Sequence, residues 1–212
     1  MLGVRPLEAA EIEKLRAHLA SHPLAARNVA LFRLALQTGF RVAELLSLRL
    51  GDVVRDGEIS RFLTVARRNM KRKVQSRTVP LRSSTREALG PYLTELAAQG
   101  YRMTDPLFPS PRFRTRAMTP ANVWRIIHDA AHAAHCFGRI GTHSLRKTYA
   151  ESAYAFFRAG PPEWGDPLML TQRLLGHARV ESTAHYLRID EKAQEHFYQF
   201  AFGDPLGRSR LQ

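Results

Sequence analysis

Cysteine is nearly absent from this sequence, Cys136 standing alone among 212 residues, and a single thiol excludes an internal disulfide framework. Long hydrophobic runs are missing as well. No stretch approaches the roughly 18 consecutive apolar residues of a membrane span, and Met1-Leu2-Gly3-Val4-Arg5-Pro6 leads into a charged amphipathic segment with no secretory hydrophobic region. A cytoplasmic location, away from membranes, is therefore the expectation. Acidic residues are outnumbered, 19 against 32 basic ones, leaving a formal charge of +13. Charge of that size on a small domain favours a polyanion such as nucleic acid. Lysine is the last scarcity, with 5 lysines against 27 arginines. Each lysine position is therefore informative, and the arginines suit bidentate phosphate contacts.

What is present suffices for a folded domain, since 44% of the residues are hydrophobic and that content supports a real core. Helical spacing starts after Pro6, with Glu8 and Glu11 in the first turn, where acids complement the helix dipole. A second helix is expected from about Pro23 to Gln37, with Leu31, Phe32, Leu34 and Ala35 inward and Gly39 as its stop. Thr38-Gly39-Phe40-Arg41-Val42-Ala43-Glu44 then opens a short apolar helix in which Arg41 and Glu44, three apart, share a face. Ile59 to Val65 and Arg77 to Leu81 read as strands, joined by the basic run from Arg67 to Gln75. Ser83-Ser84-Thr85 caps a helix to about Ala98, and a Pro/Arg-rich loop follows from Asp105 to Arg116, a second candidate phosphate contact. Thr119-Pro120 begins a helix to about His135. Its His128, His132 and His135 fall at i, i+4 and i+7, but no carboxylate or second cysteine completes a usual ligand set, so no metal is expected.

Three features of the second half point towards chemistry. Thr142-His143-Ser144-Leu145-Arg146-Lys147 opens a helix on which His143 and Arg146 point the same way, a donor pair suited to a phosphate. The stretch from Arg158 to Gly165 reads as a loop before Asp166-Pro167 restarts a helix. Leu174-Leu175-Gly176-His177 then closes that helix, and nine residues past His177 Tyr186 stands among small polar residues, a poor place for a core aromatic. Beyond it, residues 189–202 are amphipathic, with Ala193, Phe197 and Phe200 on one stripe.

Arg41 in Thr-Gly-Phe-Arg-Val-Ala-Glu-Leu-Leu, a lysine-bearing hairpin ending Arg77-Thr78-Val79-Pro80-Leu81, His143-Ser-Leu-Arg146, Leu-Leu-Gly-His177 and Tyr186 occur in one fixed order. Together they resemble the catalytic domain of the tyrosine recombinases, the phage integrase family, from about Leu7 to Phe202. That resemblance implies a mainly α fold with a small antiparallel β-sheet. It also implies a site-specific recombinase acting on double-stranded DNA with no metal or other cofactor. Tyr186 would attack a phosphodiester to give a 3′-phosphotyrosine and a free 5′-hydroxyl, with Arg41 and Arg146 neutralising developing charge. His143 would assist proton removal from the tyrosine, His177 would hydrogen-bond the phosphate, and Glu44 would support Arg41. A hairpin lysine would protonate the leaving oxygen. The family's commonest lysine position here holds Arg72, so Lys71 takes the assignment with Lys73 as alternative. Arg67, Arg68, Arg72, Lys73 and Lys147 are the expected DNA contacts.

The same resemblance frames the remaining expectations. The whole chain is read as one catalytic domain, with no room for the N-terminal core-binding domain that most relatives carry. It is either a piece of a longer protein or a one-domain recombinase similar to the fimbrial phase-switch invertases. A monomer in free solution and a homotetramer on paired DNA sites are expected, with an accessory DNA-bending protein among the candidate partners. The segment 189–212 is a candidate for exchange between protomers. The rival readings are a type IB topoisomerase and a catalytically idle DNA-binding regulator.

Overall fold

The structure is a computed structural model that describes residues 4–66, 76–177 and 181–184. Helix α1 (Ala9–Ala20) begins where Glu11 accepts from the backbone N–H of Glu8, so an acid satisfies an orphan donor of the first turn. Helix α2 (Ala25–Thr38) is the central rod. It packs against α1, α5 (Ser83–Ala98) and α7 (Thr142–Ala159), and Ala30, Leu31, Phe32, Leu34 and Ala35 are all buried along it. The short helices α3 (Val42–Leu46) and α4 (Leu50–Val53) follow directly.

The expected sheet is two separate antiparallel hairpins. Strands β1 (Val54–Arg55) and β2 (Glu58–Ile59) form one, turning through Asp56 and Gly57, both at positive φ. Strands β3 (Phe62–Val65) and β4 (Arg77–Pro80) form the other, in the register Val65 opposite Arg77 and Phe62 opposite Pro80. The single strand expected from Ile59 to Val65 is therefore broken at Ser60 and Arg61, where the Ser60 N–H turns back to the Val53 carbonyl.

Helix α6 (Pro120–Ala133) starts at Thr119, whose hydroxyl accepts from the Asn122 N–H at 3.2 Å. It ends two residues short of the expected His135, which takes positive φ outside the helix. His135 therefore does not share the helix face of His128 and His132. Among the described residues no group of three His, Cys, Asp or Glu gathers to hold a metal ion, and the His128 ring stacks on Trp124 at 4.4 Å. Residues 160–166 form a loop containing a single 3-10 turn, Pro162–Trp164. Helix α8 (Pro167–Leu175) is capped by Asp166, whose carboxylate accepts from Met169 N–H at 2.8 Å, and stopped by Gly176 at φ +63. Helix α9 (Glu181–Ala184) completes the described chain. No described helix is long and apolar enough to cross a membrane.

One core joins the elements from α1 to α7, with Leu15, Phe32, Leu89, Phe108, Ile127 and Leu145 among its buried members. An N-terminal arm closes it: Arg5 N–H donates to Arg139 O, and Leu7 N–H donates to the Thr148 hydroxyl at 2.8 Å. The arm is thereby tied to α7 through Thr148.

Gly39 sets the angle between α2 and α3. It lies in the left-handed region at φ +58, and a Cβ there would collide with Cδ1 of the Tyr149 ring on α7. Gly39→Ala combines a disfavoured φ with an overpacked contact, so a loss of about 2–4 kcal/mol is expected. Urea unfolding of the two proteins measures it.

Candidate functional site

The site is built where three helix ends meet. The last carbonyls of a helix lack intrahelical partners and carry partial negative charge. Two such ends, those of α2 and α8, point at one guanidinium. Arg146, on the first turns of α7, is 1% exposed. Its Nη1 donates to Gly39 O at the end of α2, and its Nη2 donates to Leu175 O at the end of α8 at 3.0 Å. Nη2 also lies 2.8 Å from Nε2 of His177.

Because a guanidinium only donates, His177 must accept at Nε2 and carry its proton on Nδ1. Nδ1 is 2.9 Å from the hydroxyl of Thr183, which is fully buried on α9. His177 is thus a link between Arg146 and the helix that precedes Tyr186. Sequence reasoning missed Thr183, and its only signal was a threonine six residues beyond the histidine.

Arg41 enters from the α2–α3 turn. Its partner Glu44 is 1% exposed and accepts from the Arg41 backbone N–H and from Nη1, each at 2.8 Å. This orients the guanidinium while leaving 26% of the side chain exposed, so Arg41 reaches the surface as Arg146 does not. Glu44 Oε2 also lies 3.9 Å from Arg146 Nη1. One carboxylate therefore serves two arginines, and positive charge is left in excess.

The histidines respond to that excess. Burial first, and then the charges of Arg146, Arg41 and Arg77, push His177 down to about 3. His143 stands exposed at the start of α7. It too is held below the ordinary histidine value, by partial desolvation and then by Arg146, Arg41 and Lys147. Both rings are neutral at neutral pH, so His143 is available to accept a proton. Lys147, the next residue along from Arg146, is half-buried.

The structure therefore brings together Arg41, Glu44, His143, Arg146 and His177. Lys71, Lys73, Arg67, Arg68, Arg72 and Tyr186 lie outside the described residues, as does the amphipathic segment 189–202. In the loop 105–116, Arg112 and Arg116 flank the half-exposed ring of Phe113, with guanidinium carbons 5.6 and 5.2 Å from its centroid.

Fixed guanidinium groups beside neutral imidazoles, with the Glu44 carboxylate buried, make a site suited to an oxyanion such as a phosphodiester. Comparison with known proteins places this chemistry in a class: the chain belongs to the phage integrase family, whose model matches residues 5–193. It is 32% identical over 210 residues to the tyrosine recombinase XerD of Caulobacter vibrioides, covering 96% of this chain and 63% of that protein. It is 26% identical over 197 residues to the probable integrase/recombinase YoeC of Bacillus subtilis, covering 92% of this chain and 96% of that protein. Against the Xer relatives it spans between 51% and 63% of their length. Among solved structures, XerA recombinase superposes with a TM-score of 0.70 at 26% identity, covering 95% of this chain and 66% of that one. The fold is shared with XerH bound to palindromic difH substrate in a post-cleavage complex, TM-score 0.70 at 23% identity, covering 92% and 52% of the two chains.

The depressed His177 value yields a signed prediction. A histidine whose folded value lies below its ordinary 6.5 stabilises fully above about 6.5, and loses that contribution as pH falls towards about 3, because the unfolded chain takes up the proton first. The stability difference between the wild-type protein and His177→Gln should be constant above pH 7 and shift against the wild type as pH falls from 6.5 to 4. Urea midpoints across that range check it.

Proposed function

We propose that this chain is the catalytic unit of a site-specific DNA recombinase that cleaves and rejoins double-stranded DNA through a 3′-phosphotyrosine. The observation that carries the reading is the convergence of Arg41, Arg146 and His177 on one point, in a chain of this family, nine residues before a tyrosine.

In the proposed reaction the Tyr186 hydroxyl oxygen attacks phosphorus while its proton passes to neutral His143. The bond to the 5′-oxygen breaks, and that oxygen takes a proton from Lys71, or from Lys73 in its place. Arg41 and Arg146 offset the charge on the non-bridging oxygens, and their fixed positions avoid reorganisation in the transition state. For His177 to donate from Nε2 to the phosphate, its proton must move from Nδ1, so phosphate binding would replace the Arg146 contact at Nε2 and reverse the Thr183 contact, the hydroxyl then donating to Nδ1. The phosphotyrosine conserves the energy of the broken bond, so a 5′-hydroxyl from another strand reverses the step without ATP. Arg67, Arg68, Arg72, Lys73 and Lys147 would hold the flanking phosphates. A monomer in solution that assembles as a tetramer on paired sites, with the segment 189–212 passed between protomers, completes the reading. An accessory DNA-bending protein would serve that assembly. Similarity to recombinases favours this over supercoil relaxation or simple DNA binding.

A nicked suicide duplex carrying a candidate recombination site tests it. Tyr186→Phe should abolish the covalent adduct while leaving affinity nearly intact, because binding rests on many phosphate contacts. An adduct mapped to Tyr92, Tyr101, Tyr149, Tyr154 or Tyr198 would overturn the assignment. A 5′-bridging phosphorothiolate identifies the general acid, since sulfur leaves without a proton. Lys71→Ala should be slow on ordinary DNA and recover on the thiolate, and recovery by Lys73→Ala alone would transfer the role.

A further inference from the structure

The period-two pattern of β4 turns Arg77 and Val79 inward and Thr78 and Pro80 outward. An aliphatic residue is expected at an inward position of this kind, yet Arg77 is a charged side chain only 8% exposed. Its Nη2 donates to Thr38 O, the last carbonyl of α2, at 2.6 Å. Its guanidinium carbon sits 4.9 Å from the centroid of Phe40 and 5.9 Å from that of Tyr149. The Tyr149 hydroxyl is a further hydrogen-bonding partner, yet burial still holds the guanidinium below its ordinary value. Burying a charge is costly even when it is hydrogen-bonded, and an aliphatic side chain would avoid that cost. Fold stability alone therefore gives a poor reason for an arginine here.

Its placement gives a better one. Thr38 O and Gly39 O are consecutive carbonyls, one held by Arg77 and the next by Arg146. Two residues later the chain reaches Arg41. Arg77 itself lies four residues after Lys73 on the returning strand of the hairpin, opposite Val65. The guanidinium thus bridges the stem of the lysine-bearing hairpin and the turn that delivers Arg41, with Phe40 and Tyr149 as its walls.

We propose that Arg77 is a positioning residue for DNA cleavage: it locks the hairpin stem to the Thr38–Arg41 turn, so that the hairpin lysine and Arg41 meet the same phosphate in register. This rests on the reading of Arg41 and the hairpin lysine given above. Arg77 touches neither the phosphate nor the tyrosine in this role, and it acts through the two groups it joins.

The test is single-turnover cleavage of the nicked suicide duplex at saturating protein, with affinity measured separately. Arg77→Met should cleave about tenfold to a hundredfold more slowly, as expected for a misplacement of order 1 Å, with its affinity for the duplex little changed. Arg77→Lys should recover part of the rate. Guanidinium ion at non-denaturing concentration should accelerate Arg77→Met and leave the wild-type protein unaffected, a response that loss of packing alone would not produce. Wild-type cleavage by Arg77→Met overturns the proposal, and so does a rate loss matched by an equal loss of affinity with no response to guanidinium. If Arg77→Met does not fold, Phe40→Leu carries the test, since it removes the ring beside the guanidinium and keeps the core apolar. A slower rate at unchanged affinity supports the proposal, and an unchanged rate overturns it. A wild-type chain that forms no adduct defeats the recombinase reading itself, which separates the two failures.

Discussion

The burial of the Arg146 guanidinium constrains everything around it. Placing a charge out of water is expensive unless fixed dipoles replace the lost hydration. Here those dipoles are the carbonyls at the ends of α2 and α8, which have no partners within their own helices and carry the negative ends of the helix dipoles. The positions of α2, α7 and α8 are therefore coupled, because moving any one of them strands a charge or a carbonyl. Gly39 is part of the same constraint: only a residue without Cβ lets the turn present its carbonyl to Arg146 while the Tyr149 ring packs against it.

The same groups that hold the fold also prepare the proposed chemistry. Arg146, Arg41 and Arg77 surround Glu44, which compensates only part of their charge. Burial first, and then this remaining positive potential, keeps His143 and His177 neutral. A diester phosphate entering this site would meet donors already fixed by backbone carbonyls and by Glu44, with little rearrangement needed as charge develops on its oxygens. The His177 to Thr183 contact extends the arrangement to α9, and so relates the phosphate position to the segment that leads into Tyr186.

Much of this arrangement was legible locally. Thr119, Asp166 and Gly176 announce helix ends because side-chain caps and left-handed glycines act within a few residues, and the structure places the caps and stops there. The pairing of Arg41 with Glu44 was readable for the same reason, being an i, i+3 contact across one helical turn. The hairpin region was less legible. A run of β-formers from Ile59 to Val65 gives no sign of the break at Ser60 and Arg61, which is fixed by a hydrogen bond back to Val53. His135 was assigned to a helix face by spacing alone, and the backbone leaves the helix before reaching it.

By itself the sequence determined the signs and the punctuation: an excess of arginine, the helix starts and stops, and the order of the motifs that the family resemblance follows. These depend on composition or on interactions spanning a few residues. Only the tertiary structure decided which arginine is buried and which reaches solvent, which ring nitrogen of His177 carries the proton, and that an inward position of β4 holds an arginine. Each of those depends on groups brought together from distant parts of the chain, Gly39 with Arg146 and Leu175, or Arg77 with Thr38 and Tyr149. Burial and electrostatic environment belong to that assembled neighbourhood, because desolvation and Coulomb interactions act through space, whatever the separation along the chain.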